Sequence, residues 1–481
     1  MLAPASGVHT TGNNRAFVHR RKENHVKDWT PSLNDSGKPR YLQIADAIGA
    51  AVRSGDLAAG DRLPPQRKLA ERLRIDFTTV SRAYAEAAAR RLVESHVGRG
   101  TFVRASAPAS EAPDPQRGRD EDLSMNMPPE PEDKELLERM SDGLRAVSAN
   151  LTSLLRYQST TGSERDKSAA SSWLSKRGMV PSLERMAITP GAHATMTAIL
   201  SMLARPGDIV LCEAITYPGL RAIAARLNLR LVGVPMDGDG IVPADLDELI
   251  RQRAPKALYL NPTLHNPTTL TIPQARRMQI AEVLIRHRLP LIEDDAYGFI
   301  PASPPPPFAT LAPGLTWHIG GLAKCIGAGL RLAYVVAPDA RSAFALGQAL
   351  RAISVMPSPI CAALTTRWIE DGTADRIRHF VRTESAARQK IAAGIFAGFE
   401  FRADPNAFNI WLSLPEGAGR AELMGRMAGR HVGLMPSDAF TVTGEADEHV
   451  RVCLGGAITR SDLQASLLFM ANTLSGGGWM G

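Results

Sequence analysis

Lysine is costly to bury, yet Lys324 lies in the run His318 to Tyr334, HIGGLAKCIGAGLRLAY, close behind the apolar Trp317 and Ile319 and ahead of Arg331. An ammonium placed there either reaches back to solvent or has a chemical reason to sit inside. Formation of an imine with a carbonyl compound is the commonest such reason. The small neighbours Gly320, Gly321, Ala323, Gly327, Ala328 and Gly329 would let a flat ligand and a phosphate approach the backbone, and Arg331 could then hold that phosphate. A surface lysine on a Gly-rich loop is the other reading that this stretch alone leaves open.

The segment around Lys324 and Arg331 resembles the lysine segment of fold-type I pyridoxal 5'-phosphate (PLP) enzymes, and four further stretches follow that family's order. Gly191-Ala192-His193 is similar to its phosphate-cup turn, Tyr217 to its ring-stacking aromatic, Asn266-Pro267 to its Asn-Pro motif, and Asp294 with Tyr297 to its partners for the ring nitrogen and ring hydroxyl. The resemblance further implies that Arg451, in Glu448 to Val452, grips a substrate carboxylate and that Tyr157 reaches the phosphate of a neighbouring subunit. It covers about residues 125 to 475. There are departures: Ala192 offers no hydroxyl, Thr269 stands where the family has glycine, and Gly321 and Ala323 replace two serines of the phosphate cup. Without a cofactor, Glu293, Asp294 and Asp295 would suggest a metal site, but no His or Cys cluster joins them, and no metal is expected.

These residues need a scaffold, and the sequence supplies one. Apolar runs at Ile209 to Cys212, Leu229 to Val234, Ala257 to Leu260, Leu291 to Glu293 and Leu332 to Val336 alternate with helical stretches such as Ala194 to Leu203 and Pro273 to Arg286. That alternation predicts an α/β fold with a mostly parallel sheet, whose ligands gather beyond the carboxyl ends of the strands. A helix through Leu136, Leu137, Met140 and Leu144 opens this body, and Pro301 to Pro307 reads as a rigid surface excursion.

Charge divides the chain unevenly. Residues 1 to 104 hold 18 Lys and Arg against 10 Asp and Glu, while the remainder is balanced at 38 against 39. A basic front end on a neutral body suggests a nucleic-acid reader joined to something else. Leu42, Ala45, Ile48 and Val52 recur at helical spacing, Pro64-Pro65 opens a second helix with Leu69 and Leu73, and Val80, Ala83, Tyr84 and Ala87 form the buried stripe of a third. Thr78, Thr79, Ser81 and Arg82 are left on its exposed front. Two short strands then flank His96 to Arg99, completing a winged helix-turn-helix. The wording LPPQRKLAERLRIDFTTVSRAYAEA with GRGTFV is similar to the DNA-binding domain of GntR-type regulators, which implies DNA contacts at Arg67, Thr79, Arg82, Arg99 and Gly100. Pro65 stands where that family has serine.

The expected organisation is a tail over 1–36, a winged helix-turn-helix over 37–104, a linker over 105–124 rich in Pro, Ala, Ser and charge, and the PLP-binding body over 125–475. No run approaches a membrane span and no apolar leader core opens the chain, so the cytoplasm is expected. The four cysteines lack metal or disulfide spacing and are read as packed thiols. A GntR-like reader on an aminotransferase-like body is the layout of MocR (GabR-like) regulators. That resemblance implies a homodimer, whose long linker allows its heads to be swapped head to tail, that binds double-stranded operator DNA and senses a small amine or amino acid by aldimine exchange at Lys324. An active aminotransferase carrying a DNA-binding domain, and a regulator whose body has lost PLP, are the alternatives.

Overall fold

Two units, Met1–Glu121 and Asp122–Gly481, build the chain. The computed structural model describes residues 28–34, 37–90, 92–96, 99–104 and 124–476. The expected linker up to residue 123 and the first part of the expected tail lie outside them.

In the first unit, α1 (Arg40–Ser54) buries Ile44, Ala45, Ile48 and Ala51, and stops at Gly55, whose left-handed φ of 84° ends the helix. Leu42 and Val52 flank that face half-buried. Helix α2 (Gln66–Leu73) starts behind Pro65 with no side-chain cap, as the replacement of serine predicts. The tighter start belongs to α3 (Phe77–Ala89), where the Asp76 carboxylate accepts from the Thr78 amide at 2.7 Å. Its buried stripe is Val80, Ala83, Tyr84 and Ala87, and the Tyr84 hydroxyl donates to the Pro64 carbonyl at 2.8 Å, fixing α3 to the start of α2. Strands β1 (Val93–His96) and β2 (Gly100–Val103) pair antiparallel, Val93 opposite Val103. Residues 97 and 98 of the expected wing tip lie outside the description. Part of the stretch read as a tail is packed rather than loose, because Trp29 and Leu33 lie on this core and Asp28 pairs with Arg72.

The second unit opens with α4 (Lys134–Ser148), capped by Asp133. Its buried face differs from the expected one: Leu136, Gly143 and Val147 are buried, whereas Leu137 and Leu144 are 41% and 52% exposed. The cause is close approach, since a Cβ on Gly143 would lie 2.3 Å from the Trp368 Nε1. Seven strands form the main sheet: β3 (Met186–Thr189), β4 (Ile209–Glu213), β5 (Arg230–Val234), β6 (Ala257–Leu260), β7 (Leu291–Asp294), β8 (Thr316–Gly321) and β9 (Ala333–Val336). Their spatial order is β3-β9-β8-β7-β6-β4-β5, with β9 antiparallel to both neighbours and β4 to β8 mutually parallel. Five strands were legible as apolar runs; β3 was not singled out, and β8 appeared only as Trp317 and Ile319. Helix α5 (Ala192–Leu203) packs against one face and α6 (Gln274–His287) against the other.

A second, antiparallel sheet completes the body, ordered β10-β11-β13-β12 from β10 (Phe401–Arg402), β11 (Asn409–Ser413), β12 (Leu434–Pro436) and β13 (His449–Cys453). Its core is covered by the final helix, Arg460–Ser475. The proline run is more than a surface excursion. Arg177 and Arg277 donate to the carbonyls of Pro305 and Pro306, and Glu293 accepts from the Phe308 and Ala309 amides at 2.7 and 3.1 Å, anchoring its end. Among the described residues no helix is long and apolar enough to cross a membrane, and no group of three or more His, Cys, Asp or Glu could hold a metal ion.

Candidate functional site

Because β4, β6, β7 and β8 run parallel, their carboxyl ends share one edge, and the antiparallel β9 begins at that same edge. Tyr217, Asn266 and Lys324 follow the ends of β4, β6 and β8, Asp294 is the last residue of β7, Gly191 follows β3, and Arg331 precedes β9. Together with Ala192, His193 and Tyr297 they line one cavity of about 400 Å³.

At its floor Lys324 is half-buried, and its Nζ donates to the Asn126 carbonyl at 2.5 Å. Burial, helped by the charge of Arg451, lowers the ammonium's pKa to about 8. The surface-lysine reading therefore falls. Asp294 is 4% exposed; its Oδ2 accepts from the Tyr259 hydroxyl at 2.9 Å, while its Oδ1 is buried without a partner among the described residues. Burial raises the Asp294 carboxyl to about 6, against the opposing hydrogen bond from Tyr259. Glu293 and Asp295 point away from the cavity into a buried charge cluster, where Arg177 pairs with Asp295 at 3.0 Å and His318 Nδ1 meets Glu293 at 3.1 Å. Neither carboxylate is solvated.

Gly191 is the N-cap of α5, and no side chain caps that end, so the first turn's amides and the helix dipole are turned to the cavity. His193 contributes more than backbone: its Nε2 meets the Tyr217 hydroxyl at 2.6 Å, fixing the tilt of that ring. The charges of Arg331 and Lys324, after burial, keep His193 below its ordinary pKa. At Gly321 the nearest atoms to an added Cβ would be 3.6 Å away, so its lack of a hydroxyl is not forced by space. Thr269, in glycine's usual place, is held at φ 61°, a left-handed conformation that costs a β-branched residue energy.

A buried chain of amides ties the parts together. Glu213 accepts from the Asn261 amide at 2.6 Å, Asn261 Nδ2 donates to the Asp294 carbonyl at 2.7 Å, and Asn261 Oδ1 accepts from the Asn266 amide at 2.8 Å. Burial pushes Glu213 up to about 7. Arg451 Nη1 donates to Asn266 Oδ1 at 3.1 Å, leaving the Asn266 Nδ2 for another acceptor. Arg451 itself is 2% exposed and does not reach the cavity wall, because the chain at Ser124 lies over it and accepts from its Nη2.

A profile of the family described as aminotransferase class I and II matches residues 121–467, and one described as bacterial regulatory proteins, gntR family, matches residues 40–103. The chain belongs to the aminotransferase class I and II family, in its GntR-fused, MocR-type form. A Bacillus subtilis (strain 168) protein described as an uncharacterized HTH-type transcriptional regulator, YdeF, is 28% identical over 455 residues, spanning 94% of this chain and 98% of its own. The probable rhizopine catabolism regulatory protein MocR of Rhizobium meliloti is 24% identical over 384 residues, covering 74% of this chain and 77% of its own. Among solved structures, the alpha-aminoadipate aminotransferase LysN from Thermus thermophilus superposes with a TM-score of 0.66 at 21% identity over 74% of this chain and 92% of that one, a likeness of fold.

In this MocR-type chain the remaining predicted residues fall elsewhere. Tyr157 is 85% exposed and is not part of this chain's own cavity. On the reader, Thr78 and Arg82 are exposed and Thr79 and Ser81 half-buried along the front of α3, while the Arg82 guanidinium stacks 4.0 Å from the Tyr41 ring centroid. Arg67 lies 6.0 Å from the Phe77 ring, and Arg99 is exposed. Gly100 serves a close approach, since a Cβ there would lie 2.6 Å from Arg62 Nε. Sequence reasoning missed Asn126, Tyr259, Asn261 and Glu213. Tyr259 and Glu213 sit in or end apolar strands and carried a signal as buried polar groups; Asn126 carried only the alternation of Met125 and Met127 around it.

Proposed function

We propose that this GntR-type regulator holds PLP in its body on Lys324 and uses it to sense an amine or amino acid by aldimine exchange, changing how its winged helices bind double-stranded operator DNA. The observation that carries the reading is the pairing, in one cavity, of a lysine lowered to about 8 with a buried aspartate whose Oδ1 has no partner among the described residues. An orphaned carboxylate oxygen is what a protonated pyridine nitrogen requires, and the donor set fits the rest of the group. Asn266 Nδ2 and the Tyr297 hydroxyl would meet the ring oxygen, Tyr217 the ring face, and Arg331 with the amides following Gly191 the phosphate. When bound, PLP supplies an electron sink and an exchangeable imine.

This chain's residues do the rest. Asp294 would hold the proton on the ring nitrogen, His193 orients Tyr217, and Arg451, once its bond to the Ser124 carbonyl is given up, would hold the effector's carboxylate. With Gly321 and Ala323 lacking hydroxyls, the phosphate is gripped by fewer donors than in the family pattern, which favours a sensor over a fast catalyst. A homodimer gives exposed Tyr157 a use, at the phosphate of a second copy, and pairs two heads on operator half-sites. In the reader, Thr78, Thr79, Ser81 and Arg82 face the major groove, with Arg67 and the wing residues Arg99 and Gly100 against phosphates.

The test separates the two halves. Lys324→Ala should remove the imine absorption band while leaving affinity for a duplex selected by the protein from a random pool within about twofold of the parent. Arg82→Ala should keep the band and lower that affinity about tenfold, the scale of one lost base contact of roughly 1–3 kcal/mol. Parent-like binding by Arg82→Ala would sink the groove assignment, and steady amino-acid turnover by the parent would favour the aminotransferase reading.

A further inference from the structure

The first residues of the body run across its own site. The Ser124 carbonyl accepts from Arg451 Nη2 and the Asn126 carbonyl from Lys324 Nζ, so one short strap meets both side chains. Asn126 also donates from Nδ2 to the Tyr297 hydroxyl at 3.2 Å and to Asn409 Oδ1 at 3.0 Å, while its Oδ1 is buried with no partner among the described residues. Beyond it the strap is clamped. Gly456 donates to the Pro128 carbonyl at 3.1 Å, and at Gly455 an added Cβ would lie 1.8 Å from the Met127 carbonyl oxygen, so only glycine admits the chain there. Upstream of Ser124, the nineteen residues 105–123 lead back to Arg104, the end of the reader.

We infer that Ser124 to Met127 is an internal competitor for the effector's carboxylate, a strap that must leave Arg451 when an effector binds and that thereby carries occupancy of the site into the chain leading to the reader. The inference rests on the reading of Arg451 as the carboxylate seat. Arg451 is 2% exposed beneath the strap, so a carboxylate cannot reach its fork while the Ser124 carbonyl is bound. A carboxylate brings full charge where the carbonyl brings a dipole, and charge-assisted bonds are roughly twice as strong as neutral ones. The effector therefore has the differential interaction that any switch requires: it binds the strap-off state and not the strap-on state. The clamp at Gly455 and Gly456 holds the far end, so displacement is confined to the end joined to the linker.

The test uses the full-length, PLP-loaded protein and 4-methylpentanoate, a carboxylate with no amine and hence no imine chemistry. Saturation with this probe should raise amide hydrogen exchange across Met125 to Met127 several-fold, and Asn126→Ala, which removes the strap's side-chain bonds, should lower the probe's Kd about tenfold by calorimetry. Greater protection of the strap on binding, or weaker binding by Asn126→Ala, would overturn the inference and make the strap part of the seat. Arg451→Gln should abolish probe binding; if it binds like the parent, the carboxylate seat itself is wrong and the strap inference falls with it. Those two failures are told apart by which variant departs from expectation.

Discussion

The pKa of Lys324 offers the sharpest quantitative test. Burial and the neighbouring Arg451 bring its ammonium from 10.5 to about 8. At pH 7 an amine of pKa about 8 is neutral in roughly one molecule in ten, against about one in three thousand for an ordinary lysine, a roughly 300-fold gain in the nucleophilic form. Competitive acetylation of the cofactor-free protein, read by mass spectrometry on the Lys324 peptide, measures this without any contribution from PLP. Labelling should climb about tenfold per pH unit up to about 8 and then level off. Arg451→Met removes the largest charge opposing the ammonium, so the midpoint should move upward. The linkage has a definite sign: the unfolded chain keeps this proton up to about pH 10.5 and the folded chain releases it near 8, so between those values the group makes the fold more stable as pH rises. A midpoint near 10.5, or one indifferent to Arg451→Met, would refute the account of an amine primed by its surroundings.

Three further outcomes follow from other contacts. Tyr259→Phe removes the hydroxyl that donates to Asp294, a bond that holds its pKa down, so the carboxyl should rise above about 6 and the pH dependence of the bound cofactor's absorbance should shift to the alkaline side. Arg177→Ala leaves Asp295 buried without its 3.0 Å partner and should cost the body roughly 3–5 kcal/mol, seen as a lowered melting temperature. Asp76→Ala removes the cap of α3 and should lower the reader's calorimetric transition by a few degrees while leaving the body's transition in place.

What could be read from the sequence, and what could not, divides by the range of the interactions. The stripe of α3 was legible because Val80, Ala83, Tyr84 and Ala87 sit at a spacing that one helix alone dictates, and β4 to β7 because each carries an uninterrupted run of apolar or small residues within it, Ile209 to Cys212, Leu231 to Val234, Ala257 to Leu260 and Leu291-Ile292. The cavity residues were legible through the resemblance of their segments to fold-type I PLP enzymes, and most of them lie at or just beyond a strand end, where a parallel sheet gathers its ligands. For α4 the local pattern allowed two adjacent stripes, and Trp368, more than two hundred residues later, selected the one with Gly143. The burial of Asp295 depended on Arg177, 118 residues away.

The strap is a harder case, and the reason is chemical rather than statistical. Ser124 and Asn126 meet Arg451 and Lys324 through main-chain carbonyls, at sequence separations of 327 and 198. Every residue carries a carbonyl, so no choice of side chain at 124 or 126 announces such a contact. What the sequence does constrain is the partner able to accept it: the clamp at Gly455 tolerates no Cβ, and Arg451 needs an acceptor wherever it is buried. A buried arginine that awaits a ligand must be held by something in the ligand's absence. Here that holder is the Ser124 carbonyl, at the start of the body, and on the inference drawn above its release is what would link the guanidinium fork to the chain that leads to the reader.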